Sequence, residues 1–288
     1  MKDDDEMKGT KDDVQPDCSA KASSQQPKSS KKRKSKEIAI FGNYRNYYGY
    51  RIDQELKEDP RIKVLKKEWF EGKDCLDIGC NSGVITITIA KKFCCRSILG
   101  IDIDSARIED AYWNLRNMKM SDRKMRKRIS EVEGAGDVNG VQHLVNEPPS
   151  EDPASSIPLD NVSFRKENFV QSSRPSEERY DTIICFSVTK WIHLNWGDDG
   201  LITLFSKIWR LLQPGGVFIL EPQPWISYKK NHQVSEIASH NYFNIKLHPE
   251  CFQDILLDKI GFRTVENITS RLPGSKSGFD RPILAFWK

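Results

Sequence analysis

From residue 38 onward, short apolar runs alternate with stretches of helical period along most of the chain. The run Asp74-Cys75-Leu76-Asp77-Ile78 is too short for a helix and predicts a buried strand. A turn over 79–83 opens directly into a helix expected at 84–92. Residues 96–103 predict a second strand, after which Ser105 can cap a helix reaching Asn117. Further strands are expected at 161–164, 180–187 and 217–221. Helices are expected at 201–212, where Pro214-Gly215-Gly216 ends the pattern, and at 249–259, with a shorter helical segment at 61–69. Residues 263–268 and 283–287 pattern as a closing hairpin around a long loop at 271–281. Strands alternating with helices imply an α/β fold whose mostly parallel sheet is covered on both faces.

Two stretches fall outside this alternation. Residues 1–36 contain no Phe, Tyr, Trp, Leu or Ile, so they are expected to be a disordered polar tail. Residues 121–160 carry Gly134, Gly136, Pro148-Pro149, Pro153 and Pro158 among many charges, and are expected to be a disordered insertion. The remaining 212 residues suffice for one sizeable core, so 37–288 is expected to be a single domain. No run of eighteen apolar residues and no charged-then-apolar leader is present, so neither a membrane span nor secretion is expected. The seven cysteines include no C-x-x-C pair, which argues against a zinc cluster or a disulfide framework and for reduced core thiols.

The formal charge of +4 is concentrated in the tail, where ten Lys/Arg meet seven Asp/Glu. The rest of the chain has 35 basic and 34 acidic residues, so any affinity for nucleic acid must come from local patches. Lys31-Lys32-Arg33-Lys34-Ser35-Lys36 suits a nuclear import signal or a phosphate-attracting arm, with a solvated linker as the plain alternative. A nuclear location is therefore expected, with a cytoplasmic pool left open. The run at 123–128 fits an RNA-tracking arm and a solvated helix end equally well.

The first strand–turn–helix reads Asp77-Ile78-Gly79-Cys80-Asn81-Ser82-Gly83, and the second strand ends in Ile101-Asp102-Ile103-Asp104. Glycines let a ligand approach the backbone, and an acid at the next strand's end can take ribose hydroxyls. The spacing is not G-x-G-x-x-G, which disfavours a dinucleotide. Asp77 inside the strand end suits a cationic ligand better than a pyrophosphate. With Leu212-Gln213-Pro214-Gly215-Gly216 ahead of a strand, this set resembles the class I S-adenosylmethionine-dependent methyltransferases, Rossmann-like with a seven-stranded sheet. Asn81 stands where that class has its middle glycine.

Three further blocks sharpen the resemblance. Residues 41–51 hold five aromatics and two Arg. The fourth strand is followed by Ser187-Val188-Thr189-Lys190-Trp191-Ile192-His193-Leu194-Asn195-Trp196-Gly197-Asp198, and the fifth by Pro222-Gln223-Pro224-Trp225. An Asn/Asp-Pro-Pro-Phe/Tyr segment, usual where a base amine is methylated, is missing after the fourth strand. From about Phe41 to Lys288, apart from the insertion and 171–178, the chain is similar to the bicoid-interacting family of RNA methyltransferases.

That resemblance implies methyl transfer from S-adenosylmethionine to the terminal 5′ phosphate of a small noncoding RNA, with ribonucleoprotein partners and no metal. It places Gly79, Cys80, Asn81 and Asp77 around the methionine part of the cofactor. Asp102 would sit on the ribose, Ile103 and Asp104 near the adenine, and Asn168-Phe169 against it, with Phe replacing the relatives' Tyr. Phe186 would line the cofactor or simply belong to the core. Arg51 would pair with the cofactor carboxylate, and Tyr44 and Tyr47 would cover the reacting centre. Lys190, His193 and Arg51 would hold the phosphate, with an ordinary core imidazole as the alternative for His193. Trp191 and Trp225 would stack on bases or pack. A phosphate monoester, with a second pKa near roughly 6, is already nucleophilic at neutral pH, so no strong base is required. Other readings stay open: a methyltransferase of another small acceptor, and a noncatalytic RNA-binding scaffold that retains the cofactor pocket.

Overall fold

The computed structural model describes residues 39–51, 58–133, 159–175, 177–269 and 279–288. The expected tail, the segment 134–158 and residues 271–278 of the expected loop lie outside them. All seven expected strands form one sheet, in the order β3-β2-β1-β4-β5-β7-β6. They are β1 (Asp74–Ile78), β2 (Ser97–Asp102), β3 (Val162–Lys166), β4 (Tyr180–Phe186), β5 (Leu212–Glu221), β6 (Thr264–Thr269) and β7 (Ile283–Trp287). Strands β1–β5 pair in parallel, and β7 runs antiparallel to both neighbours. The central strands are apolar at nearly every position because both their faces are covered, whereas the edge strand β6 is largely polar and exposed. This order is that of a class I methyltransferase. The strand order reverses between β1 and β4, so a crevice opens at their carboxyl ends.

Helices α1 (Tyr47–Arg51), α2 (Pro60–Val64), α3 (Val84–Phe93), α4 (Ser105–Glu133), α5 (Thr189–Leu211), α6 (Trp225–Asn231) and α7 (Glu236–Asn244) surround the sheet. One apolar layer joins it to α3 and α4 through Ile87, Phe93, Ile108 and Leu115. A second joins it to α5 through Leu201, Leu204, Phe205 and Ile208. Among the described residues no helix is long and apolar enough to cross a membrane.

Several elements depart from expectation, each for a local reason. The segment expected at 61–69 breaks into α2, with Pro at its first position and the Asp59 side chain as its cap, and a separate turn at Lys67–Trp69. Helix α4 continues to Glu133, so the first thirteen residues of the expected insertion are helical. Its Met, Lys and Arg residues are good helix formers even without a buried face. Asp104 rather than Ser105 caps α4, since its Oδ1 accepts from the Ala106 N–H at 2.8 Å. Helix α5 begins at Thr189, ahead of the expected 201, and absorbs the string after β4; Gly197 (φ 62°, ψ −164°) kinks it. Tyr180 pairs with Leu212 and Thr182 with Val217, so the expected stop at Pro214–Gly216 survives as a bulge within β5. Cys75, Cys80, Cys95 and Cys185 are buried and unbridged, while Cys251 is exposed.

Candidate active site

An open cleft of ≈ 890 Å³, solvent at its mouth included, lies at the carboxyl ends of β1, β2 and β4. Gly79, at φ +77°, forms its floor, and a Cβ there would sit 2.2 Å from Val188 Cγ2, so only glycine lets the two loops meet. Asn81, next on the loop, has φ 50°, a conformation asparagine tolerates. Its side chain accepts from the Ser82 N–H at 2.8 Å and donates to the Tyr44 carbonyl at 3.2 Å, which ties the loop to the segment 39–51.

Two carboxylates face this floor. Asp77 is 2% exposed, accepts from the Thr86 hydroxyl at 2.6 Å, and is pushed up to about 6 by burial against the pull of Arg61. Asp102 accepts from the Asn81 N–H at 3.0 Å and the Asp104 N–H at 2.9 Å, yet burial also pushes it up to about 6. Buried carboxylates so raised favour a ligand bearing positive charge and hydroxyl donors. Asn43, which sequence reasoning did not single out, lines the same cleft with a buried Oδ1 that has no partner. S-adenosylmethionine offers a sulfonium, an ammonium, two ribose hydroxyls and an adenine amine, so these acceptors fit it. Cys80, Ile103, Asn168, Phe169, Phe186 and Tyr47 also line the cleft. Asp102→Ala should weaken cofactor binding by roughly 1.5–3 kcal/mol, the scale of hydrogen bonds to a charged group. Unchanged calorimetric affinity in a folded variant would remove Asp102 from the ribose position.

Other expected residues stand elsewhere. Arg51 does not line the cleft: its guanidinium is fully buried, 2.8 Å from Glu221 Oε1 and 3.9 Å from Asp59. The expected pairing with a cofactor carboxylate is therefore replaced by an internal ion pair. Asp104 caps α4 and is held by Asn43 rather than lining the cleft. His193 is fully buried, with Nε2 2.7 Å from Asp198 and Nδ1 3.3 Å from the Tyr228 hydroxyl. Its ring packs on Tyr228 and Phe252, and burial holds its pKa below the usual imidazole value despite Asp198. Both ring nitrogens are taken, so His193 is a core imidazole and not a phosphate ligand.

Beside the cleft lies a second, cationic group. Arg61 binds Asp59 with Nε at 3.0 Å and Nη2 at 2.7 Å, and reaches Glu221 Oε2 at 3.2 Å. Ser187, at φ 62°, presents its hydroxyl at the end of β4; it donates to Glu221 at 3.1 Å and accepts from Arg281 at 2.9 Å. A non-glycine residue in that conformation is held there by its surroundings, a pattern common at functional sites. Lys190 is 5% exposed, donates to the Ser227 hydroxyl at 2.8 Å and sits 4.3 Å over the Trp191 ring. Burial first, and Arg281 second, bring it down to about 7. Tyr44 joins this side: its ring meets Trp191 edge-on at 5.8 Å and its hydroxyl donates to Asn231 at 3.1 Å. Trp225 stacks between Tyr242 and His248, at 4.9 and 4.2 Å. Among the described residues no cluster could hold a metal ion.

The sequence matches the family described as Bicoid-interacting protein 3 over residues 180–288, and that described as Ribosomal protein L11 methyltransferase over 61–140. A probable RNA methyltransferase of Arabidopsis thaliana is 63% identical over 264 residues, covering 89% of this chain and 83% of that protein. The U6 snRNA methylphosphate capping enzyme Amus of Drosophila melanogaster is 36% identical over 251 residues, covering 86% and 74%. The 7SK snRNA methylphosphate capping enzyme of Homo sapiens is 39% identical over 272 residues; the match covers 86% of this chain but only 39% of the human protein. With its seven-stranded topology and this cleft, the chain belongs to the bicoid-interacting protein 3 family of S-adenosylmethionine-dependent RNA methyltransferases.

Proposed function

We propose that this protein methylates the terminal 5′ phosphate of a small noncoding RNA. The observation that supports this reading most is the gathering of buried cations beside the cleft. Lys190, Arg51, Arg61 and Arg281 gather there, with Asp59 and Glu221 pairing the arginines. Gathered buried cations are costly unless well paired, and an entering phosphate would add an anionic partner to the cluster. S-adenosylmethionine supplies an electrophilic methyl group on its sulfonium. The protein's part is to hold the acceptor oxygen in line with that methyl. Lys190 and Arg281, next to the cleft-lining Ser187 and Val188, would grip the phosphate, and Arg51 and Arg61 would hold the floor beneath it. Tyr44, through Trp191, would bound the acceptor side. Asp77 and Asp102 repel an anion, which directs the phosphate to the cationic side.

The relatives named as snRNA capping enzymes and as RNA 5′-monophosphate methyltransferases favour the same acceptor. The import-like run at 31–36 favours nuclear residence, and residues 37–288 would act as one catalytic domain with its insertion narrowed to 134–158. The test is labelled-methyl transfer to one RNA carrying a 5′ monophosphate, a triphosphate or a hydroxyl. Label on a phosphate end and none on the hydroxyl end is expected. Equal labelling of all three would move the acceptor away from the phosphate, and binding without label would favour a scaffold.

A further inference from the structure

The C-terminal half of α4 takes no part in the cleft. Leu115 is the last buried residue of the helix among those described, and residues 123–128 are exposed. Between 116 and 128 the sequence has seven Lys/Arg against one acid, Asp122, which is bound to Lys91 at 2.7 Å. At 3.6 residues per turn, Trp113, Arg116, Met120 and Lys124 fall in one stripe, flanked by Arg123 and Arg128. Trp113 is 58% exposed and Met120 56%. A merely solvated face has no use for an open Trp and Met. A helical protein partner would ask for a continuous apolar seam, which the intervening cations interrupt. Cations interleaved with an aromatic ring are instead the footprint of nucleic acid.

We infer that this stripe binds the sugar–phosphate backbone of the RNA, downstream of the 5′ end that the active site receives. The inference rests on the RNA-phosphate reading above. Helix α4 starts beside Asp104, two residues from Asp102 in the cleft wall. At a rise of about 1.5 Å per residue, Arg116 lies roughly 18 Å and Arg128 roughly 36 Å along the helix from that point. With about 3.4 Å per stacked nucleotide, those positions meet phosphates roughly five to ten nucleotides from the 5′ end. The first few nucleotides cannot reach them.

Length therefore separates this contact from the active site. The full chain and a variant carrying Arg116→Gln, Arg123→Gln, Lys124→Gln and Arg128→Gln are titrated with two 5′-monophosphate RNAs. One is a 4-mer and the other a 20-mer sharing its first four nucleotides. For the 20-mer, affinity at physiological salt should fall roughly 10–100-fold and the log–log salt slope should become shallower by about 3. For the 4-mer, binding and methyl transfer should stay as in the wild type. A double variant, Arg123→Gln with Lys124→Gln, should give about half the change in slope and decides the matter if the fourfold variant does not fold. An unchanged 20-mer slope in a folded variant would overturn the inference and leave the stripe to an acidic protein or to the acid-bearing segment 134–158. Equal losses on both RNAs would overturn it too, since the stripe would then act through the site. Should the wild type methylate neither RNA, the phosphate-transfer reading fails while the salt slope still decides the stripe.

Discussion

Glu221→Ala should destabilise the folded protein by about 3–5 kcal/mol, the cost of breaking a buried ion pair from one side. Glu221 is fully buried at the end of β5 and serves Arg51 at 2.8 Å, Arg61 at 3.2 Å and the Ser187 hydroxyl at 3.1 Å. Without it, Arg51 and Arg61 keep Asp59 as a carboxylate partner, and Arg281 loses its ion pair with Glu221. Glu221→Gln keeps the volume and one acceptor oxygen, so its loss should be smaller. Inorganic phosphate should restore part of the stability of the alanine variant, because an anion that binds only the folded state stabilises it by mass action. Urea unfolding measures all three. A loss under about 1 kcal/mol would mean that the cluster relaxes or admits water, and it would weaken the case for a tightly held ion-pair cluster.

Lys190→Ala should lower methyl transfer to RNA by roughly 10²-fold or more, the scale of losing one electrostatic transition-state contact. Cofactor affinity should barely move, because the lysine does not line the cleft. The lysine also sets a pH dependence. In the free protein it is held near 7 by burial and by Arg281, so it loses its proton as pH rises through neutrality. The acceptor phosphate loses its dianionic form as pH falls below roughly 6. A bell-shaped kcat/KM is therefore expected, with its alkaline limb near 7, since that ratio reports the free enzyme. Lys190→Arg should carry that limb to higher pH, because a guanidinium stays charged. Wild-type turnover by a folded, cofactor-binding Lys190→Ala variant would refute the assignment.

What the sequence disclosed was mostly local. The loop from Gly79 to Gly83 and the acid at Asp102 belong to one continuous strand–turn–helix–strand unit, where spacing alone sets proximity. The apolar runs of β1 and β4 were legible because burial on both faces leaves them no other composition. The cationic cluster was not legible, since Arg61 and Glu221 are 160 residues apart and nothing near either names the other. Arg51 was misplaced for the same reason: a fork-shaped cation suits a carboxylate, but which carboxylate is a tertiary fact. His193 and Lys190 are three residues apart on α5, yet one packs among Tyr228 and Phe252 while the other turns toward Ser227. At three residues apart they share one helix face, and their division follows from the neighbours each meets, a tertiary fact. Helices α6 and α7 were missed because they are short, although Ser235, whose side chain accepts from the Ala238 N–H, is a legible cap.

The same separation in sequence bears on the order of events as the chain folds. Arg51 and Arg61 come before the first strand and Arg281 just before the last, so their meeting at Glu221 requires the sheet to be nearly complete. Contacts consolidated only after the transition state leave the barrier for folding nearly unchanged, and a cluster that waits for the finished sheet is expected to be one of them. Damage to the cluster should consequently leave the refolding limb of a chevron almost untouched and steepen the rate at which the native protein comes apart. In that sense the cationic cluster is a latch on the finished molecule, and it governs how long a folded copy lasts.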